Sequence, residues 1–432
     1  MIKAYRALQN SISFAKDYNL QIPIILSPMA GVCPVSLSVA VANSGGMGSC
    51  GALLMSPEQI SEWVKEMRKS SNGTFQLNTW IPDPKPARNG KQEETIRNFL
   101  AKWEPGSSNL LEILPSQNFE LQCEAMIEAN PPIISSIMGL YPSQFISRMK
   151  DHDIKWFATA TTVSEAIQAE RAGANAIVAQ GMEAGGHRGS FVADNASENM
   201  VGLFSLLPAV VDAVDIPVIA AGGIADGRGI AASLLLGASA VQMGTCFFRS
   251  PEAKIPKVWA EKLNNTFPED TVTTRAFSGR LGRSLRTNYT IAANSINAPI
   301  PAPYPIQRHL TQDMRTHAVK KNTLDGMQAW AGQSARLALD ISASEIVCNL
   351  WEDTKLILEG VAFDLKFGGN TKSRDNAQNY WDGATSQVAG QQAQTVDALD
   401  FAKDLVRNFV LQKLSYTSSK QSTYTQYTSS NN

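Results

Sequence analysis

Ala176-Ile177-Val178-Ala179-Gln180-Gly181-Met182-Glu183-Ala184-Gly185-Gly186-His187-Arg188-Gly189 joins an apolar run to a glycine-dense decapeptide, and how the two halves are read decides the fold. Residues 176–179 have the length and content of a buried strand. The decapeptide after them carries four glycines. Glycine weakens helices and strands alike, so this is a loop that must bring its backbone close to something. It holds His187, one of four histidines in the chain. Imidazole changes charge near neutral pH, which makes a histidine fixed on such a loop a candidate acid, base or anion partner. A solvated loop with an incidental histidine is the bland alternative, and the surrounding chain has to choose.

Outward from this unit the same rhythm repeats. Apolar runs at Ile24–Ser27, Met47–Cys50, Phe75–Thr79, Ile133–Met138, Lys155–Thr159, Ala176–Gln180, Val218–Ala221 and Ala240–Met243 are eight candidate strands. Helical stretches fall between them, among them Pro34–Asn43, Pro57–Lys69, Pro142–Lys150 and Ser164–Ala172, the last with Ser164 as N-cap and Gly173 as its stop. Most of the strands are apolar throughout, as parallel strands covered on both faces are. Eight alternations in roughly 230 residues match the size of a (β/α)8 TIM barrel. A doubly wound open sheet competes, because alternation alone does not show closure; the count of eight favours the barrel.

Two segments depart from the rhythm. Residues 80–132, beginning Ile81-Pro82-Asp83-Pro84, read as an insertion after the third strand with helices near Glu93–Trp103 and Phe119–Glu128. The expected organisation is a barrel over residues 1–250, a helical lid over 251–360 and an extra C-terminal segment over 361–432. Within the lid, Ser344–Leu358 reads as a helix opened by a Ser342-Ala343-Ser344-Glu345 capping box. Beyond it come a Gly/Asn/Gln-rich stretch over 365–395, an amphipathic helix over Ala398–Leu414, and a Ser/Thr/Tyr/Gln tract over Ser415–Asn432 that is expected to be disordered.

Composition removes several function classes. With net charge −1 and no clustered basic stretch, neither a nucleic-acid nor a membrane-surface partner is indicated. No apolar stretch reaches the ~18 residues of a membrane span. Cys33, Cys50, Cys123, Cys246 and Cys348 are scattered, odd in number and away from metal-ligand spacing, which argues for reduced thiols and against zinc. Met1–Leu20 lacks the apolar core of a signal peptide, so a cytoplasmic protein is expected, with a mitochondrial presequence as the alternative.

In a barrel, the loops after the strands' C-terminal ends build the active site. Ser27-Pro28-Met29-Ala30-Gly31 falls there, as do the His187 loop, Ala221-Gly222-Gly223-Ile224-Ala225 and Gln242-Met243-Gly244-Thr245. Gln76 and Asn78 place two amides on one side of the third strand. Glycine turns after strands seven and eight suit a phosphate, because they expose backbone N–H groups at the positive end of a helix dipole. Gly227-Arg228-Gly229-Ile230-Ala231-Ala232 mimics a dinucleotide fingerprint but is separated from its strand by Gly222-Gly223 and lacks the downstream acid. Arg275, Arg280, Arg283 and Arg286 offer either attraction for an anionic substrate or ordinary surface charge; Glu183 either orients His187 or is solvated. Asp151-His152-Asp153 looks like a metal cluster, yet it sits at the stability face of the barrel, so no metal is expected.

With these motifs in place, the chain resembles the FMN-dependent nitronate monooxygenases, formerly 2-nitropropane dioxygenases, and their class I enzymes in particular. The resemblance rests on Pro28-Met29-Ala30-Gly31, the His187 decapeptide, Ala221-Gly222-Gly223-Ile224-Ala225, Gln242-Met243-Gly244-Thr245, Pro303-Tyr304-Pro305 and Trp330-Ala331-Gly332-Gln333. It implies FMN as cofactor, with Met29 beside the flavin ring and Asn78 and Gln180 bonding its polar edge. It further implies Gly185 in backbone contact, and Gly222, Gly223, Gln242, Met243, Gly244 and Thr245 around the phosphate. His187 would be the catalytic residue, and Tyr304 and Gln333 lid or flavin contacts. The implied reaction oxidises alkyl nitronates such as propionate 3-nitronate with molecular oxygen to a carbonyl compound and nitrite. An NAD(P)H-dependent enoyl-acyl-carrier-protein or quinone reductase on the same barrel is the competing expectation.

Overall fold

A computed structural model describes residues 2–103 and 117–367. The segments expected as an amphipathic helix over Ala398–Leu414 and as a disordered tract over Ser415–Asn432 lie outside the described residues. Eight parallel strands form one sheet: β1 (Ile24–Leu26), β2 (Gly48–Gly51), β3 (Phe75–Trp80), β4 (Ile133–Ile137), β5 (Lys155–Ala160), β6 (Ala176–Gln180), β7 (Val218–Ala221) and β8 (Ala240–Met243). Each pairs with its sequence neighbour, and β1 pairs with β8 through Ile25 opposite Gln242. A parallel bridge between Ile25 and Met47 brings β1 beside β2 and closes the ring. The open-sheet alternative is thereby excluded.

The two faces of each strand divide the core. Ile25, Met47, Ile133, Phe157, Ala176, Val178, Ile219 and Ala240 point inward and fill the lower barrel. Their sequence neighbours Ile24, Leu26, Ile134, Ile177, Val218 and Val241 point outward against the helices. That double coverage explains the unbroken apolar runs. Higher in the barrel the inward row turns polar. Gln76 donates to Ser49 Oγ at 2.9 Å and to Gln242 Oε1 at 3.2 Å, making a hydrogen-bonded layer beneath the catalytic end.

The floor comes from a helix that the strand rhythm did not foreshadow. Ile2–Asp17 runs under the barrel, and Phe14 enters its lower core with Phe157 6.0 Å away, centroid to centroid. Tyr18 meets the same Phe157 edge-on at 5.0 Å. Phe14 is 1% exposed, so Phe14→Ala opens a cavity that nothing else reaches. Such truncations cost about 3–5 kcal/mol, and the urea midpoint of unfolding is expected to fall accordingly.

Helix boundaries follow their caps. The helix after β2 (Pro57–Ser70) opens with a capping box from Ser56 and Gln59. The expected N-cap Ser164 is corrected to Thr162, whose Oγ1 accepts from Glu165 N at 3.2 Å. An N-cap needs extended backbone, and Thr162 is the last extended residue before the turn. Gly173 does terminate that helix, in the left-handed region at φ 100°. The insertion contributes Gly90–Leu100 and Phe119–Ala129.

Beyond residue 250 helices predominate, with one addition. Thr271–Thr274 and Gly282–Leu285 form an antiparallel pair, to which Gly186–His187 adds as a third strand. The His187 loop is therefore stitched into the C-terminal part of the chain. The last described helix, Ala343–Phe367, is opened by the expected box: Glu345 N donates to Ser342 Oγ at 3.2 Å, and Ser342 N to the Glu345 carboxylate at 3.0 Å. Among the described residues no helix is long and apolar enough to cross a membrane.

Candidate active site

A cavity of about 780 Å³ opens at the C-terminal ends of the strands. That lies inside the ~300–1,000 Å³ range of cofactor and substrate sites. The loops after β1, β6, β7 and β8 meet there, bringing Met29, Gly185, His187, Gly222, Gly223, Gln242, Met243, Gly244 and Thr245 to one wall system, together with Asn78 and Gln180 from strand ends.

The His187 loop is held from every side. Gln180 donates its amide N–H to the His187 carbonyl at 3.0 Å, and its Oε1 accepts from Gly189 N at 2.8 Å. Arg188, 5% exposed, donates to the carbonyls of Gln180, Thr161 and Asn199. Glu165 reaches across to accept from Phe191 N at 2.8 Å. At Gly185 a Cβ would lie 2.5 Å from Gly332 N, so only glycine lets the Trp330-Ala331-Gly332 backbone approach so closely. These contacts refine the expected role of Gln180: both ends of its amide are engaged in shaping the loop. Glu183 neither orients His187 nor lies in solvent. Its carboxylate accepts from Leu203 N at 2.9 and 3.0 Å and caps the helix Leu203–Val211.

His187 itself stands between two indoles. Its ring meets Trp80 at 4.6 Å and Trp330 at 4.7 Å, both edge-on. Nε2 lies 2.7 Å from Ser278 Oγ, and Ser278 also reaches the Arg280 carbonyl at 3.3 Å. When that hydroxyl donates to the carbonyl, Nε2 keeps the ring proton and Nδ1 is left as the acceptor. Ser278→Ala removes this control of the tautomer. A neutral hydrogen bond is worth ~0.5–1.5 kcal/mol, so turnover is expected to drop about fivefold, with Ser278→Thr restoring it.

Electrostatics keep this imidazole neutral. Burial pushes its pKa down to about 3, and Arg308, Arg280 and Arg315 push the same way. Arg280 is spent on Asp83, with which it forms an ion pair, and on the Ser190 carbonyl. Arg308 and Arg315 line the cavity and have no carboxylate partner among the described residues. Burial, then Arg308, lowers Arg315 to about 9, which still leaves it charged at neutral pH. The site thus presents two cations and an uncharged histidine.

Of the two readings that the sequence left open for Arg275, Arg283 and Arg286, the structural one fits their contacts. Arg275 donates to the Ala193 carbonyl, Arg283 to Met182 and Thr271, and Arg286 to the Glu269 carbonyl. Their clustering reflects the hairpin around residues 271–285, whose backbone they brace. Asp151, His152 and Asp153 lie at the opposite end of the barrel, and no metal-holding group occurs among the described residues.

The glycine turns after β7 and β8 fit a phosphate. Gly222 and Gly223 adopt φ 110° and 72°, which side chains other than glycine rarely do. Among the described residues the N–H groups of Gly222, Gly223, Gly244 and Thr245 donate to no other group of the chain, and all four residues line the cavity. Free N–H groups converging on one space make an anion cradle. Gln242 lines the cavity while its Oε1 accepts from Gln76 Nε2 at 3.2 Å. Thr245 Oγ1 accepts from Gly332 N at 3.0 Å, which leaves its backbone N–H for an anion. Asn78 lines the cavity while donating to Ser135 Oγ at 3.0 Å. Tyr304 meets Trp80 at a tilt, with centroids 5.2 Å apart, and walls a neighbouring chamber, and Gln333 holds the Glu183 carbonyl through its backbone N–H at 2.9 Å.

Sequence reasoning missed Trp80, Ser278, Arg308 and Arg315. Trp80 was within reach, because it follows Gln76 and Asn78 at the same two-residue spacing on β3. Arg308 stands four residues after Tyr304, one helical turn on. Ser278 carried no local signal.

Comparison with known proteins agrees with this geometry. The family model for nitronate monooxygenase matches residues 13–353. A protein described as a probable nitronate monooxygenase from Staphylococcus aureus strain Newman is 37% identical over 344 residues, covering 79% of this chain and 96% of the relative. Among solved structures, nitroalkane oxidase from Streptomyces ansochromogenes superposes with TM-score 0.74 at 32% identity, covering 81% of this chain and 99% of its own. FabK from Thermotoga maritima follows with TM-score 0.64 at 29% identity, covering 81% and 97%.

Proposed function

The chain belongs to the nitronate monooxygenase family, a group of oxidoreductases, and from that premise we propose that it uses FMN to oxidise alkyl nitronates with molecular oxygen, releasing a carbonyl compound and nitrite. The observation that carries the reading is the pairing of a neutral His187 with Arg308 and Arg315, which have no carboxylate partner among the described residues, in one cavity. A nitronate brings a full negative charge to two oxygens. Arg308 supplies the counter-charge, and His187 supplies a fixed hydrogen-bonding edge. Propionate 3-nitronate, with its second anionic group, has Arg315 as a further partner.

The same electrostatics choose between a nitronate and its parent nitroalkane. Removing an α-proton from a neutral nitroalkane calls for a base with a pKa near the working pH. His187, at about 3, is a poor one. A preformed nitronate needs no such step, and its charge beside the ring offsets the arginines' effect on it.

FMN is proposed to seat its phosphate on the N–H groups of Gly222, Gly223, Gly244 and Thr245, with Met29, Asn78 and Gly185 against the remainder. When bound, flavin supplies the electron acceptor and the reaction with oxygen. The chain's own groups bind, orient and screen. Trp80 and Trp330 confine His187, while the ordered loop around Arg188 holds it in register with the cavity.

The experiment is direct. Purified protein loaded with FMN and given ethyl nitronate in air should consume oxygen and release nitrite. Oxygen uptake without nitrite, or neither, removes the proposal.

A further inference from the structure

A second chamber of about 420 Å³ adjoins the catalytic cavity, and Leu53, Leu54, Trp80 and Arg308 line both. We propose that this outer chamber receives the apolar tail of a straight-chain nitronate whose charged head is held at His187 and Arg308. The inference rests on the function proposed above and adds a substrate length and the residues that set it.

Three observations carry it. The chamber's apolar lining is buried Met138 with half-buried Ile81, Phe119 and Leu53 and the exposed Leu54, whereas exposed Gln117 and Gln312 stand at its solvent end. Two of its polar groups are already engaged. Gln122, 2% exposed, donates to the carbonyls of Ala52, Leu53 and Met55, and Asp83 is paired with Arg280. A hydrocarbon tail set against these two leaves their hydrogen bonds intact. The leucine partition is also rigid, because Gln122 pins the Ala52–Leu54 turn that carries it. At the ~30 Å³ that each water occupies in the liquid, the space admits on the order of ten heavy atoms.

Position decides the orientation. Arg308 lies at the threshold between the chambers and is the cation that acts most strongly on His187. A head group placed between them directs its chain past Trp80 and Leu54 into the outer space. Each methylene transferred from water to an apolar site tightens binding about fourfold.

Straight-chain carboxylates share the planar, anionic, two-oxygen head of a nitronate and are not turned over. Their affinity for the FMN-loaded protein, read by quenching of tryptophan fluorescence, is expected to rise about fourfold per carbon from propionate to octanoate and then level off. The kcat/KM values of ethyl to octyl nitronate should climb in parallel. Ile81→Trp and Gln312→Trp fill the chamber from its two ends, and each should flatten the rise while leaving propionate binding and ethyl nitronate turnover as they were. Affinity that does not change with chain length, or a rise that survives in both filled variants, overturns the inference. If ethyl nitronate yields no nitrite, the proposed reaction fails; the carboxylate series still reports on the chamber by itself.

Discussion

His187→Asn is expected to lower turnover of alkyl nitronates by about a thousandfold while the flavin stays bound. General acid–base and hydrogen-bonding groups at a reacting centre contribute ~10²–10⁴-fold. The loop itself should survive the change. It is held by Gln180, Arg188 and Glu165, and by backbone pairing of Gly186–His187 with Gly282–Arg283, none of which uses the imidazole. Flavin absorbance and the melting temperature of the variant serve as the controls. A variant that keeps more than half its turnover removes His187 from the chemistry.

The pH dependence sharpens this prediction. Values of kcat/KM report ionisations of the free enzyme, where burial and the arginines hold His187 near 3. With preformed nitronate, kcat/KM is therefore expected to be level from pH 5 to 8. An imidazolium acting as the anion-binding group would instead give a fall above pH ~6.5. The stability consequence has the opposite direction in pH. An unfolded histidine takes up a proton below ~6.5 and the folded one resists until about 3. Stability associated with neutral His187 is thus present above pH ~6.5 and is lost progressively as the pH falls toward 3.

Arg308→Met carries the second large effect. Hydrogen bonds to charged groups contribute ~1.5–3 kcal/mol, and loss of the counter-charge adds to that, so kcat/KM should fall about 100-fold, mostly through KM. Two readouts separate this from simple misfolding. After burial, Arg308 is the first of the cations depressing His187, so its removal raises the imidazole pKa and moves the acid limb of the pH profile upward from its native position. Arg308→Lys restores the charge without the fork of donors, and should recover the level pH profile with only part of the affinity. An unchanged KM in Arg308→Met would place nitronate binding elsewhere.

The fold was legible because parallel barrel strands are buried on both faces. Ile24, Ile177 and Val218 read as apolar runs for the reason that helices cover one side of them and the barrel core the other. Closure was not legible, since the Ile25–Met47 bridge joins strands that no periodicity connects. The floor helix went unread because its signal is a sparse stripe ending in Phe14 and Tyr18, among polar residues. At the site, glycine was the most informative residue type. Gly185, Gly222 and Gly223 mark places where backbones crowd together or turn into the left-handed region. The role of the clustered arginines stayed open because charge clustering in sequence says little about side-chain direction. Arg275 to Arg286 sit on a hairpin and brace its surroundings, whereas Arg308 and Arg315 are placed over the barrel mouth by helices that begin only after Tyr304.

In the proposed reaction a neutral His187 and two arginines with no carboxylate partner among the described residues select an anionic nitronate as electron donor to bound flavin. The most direct measurement mixes the FMN-loaded protein with ethyl nitronate, and separately with NADH, in the absence of oxygen while the flavin absorbance is recorded. The account predicts rapid loss of the oxidised flavin spectrum with ethyl nitronate, its return in air with release of nitrite, and no comparable change with NADH. Rapid bleaching by NADH with an unchanged spectrum in ethyl nitronate would contradict it and identify a pyridine-nucleotide reductase instead.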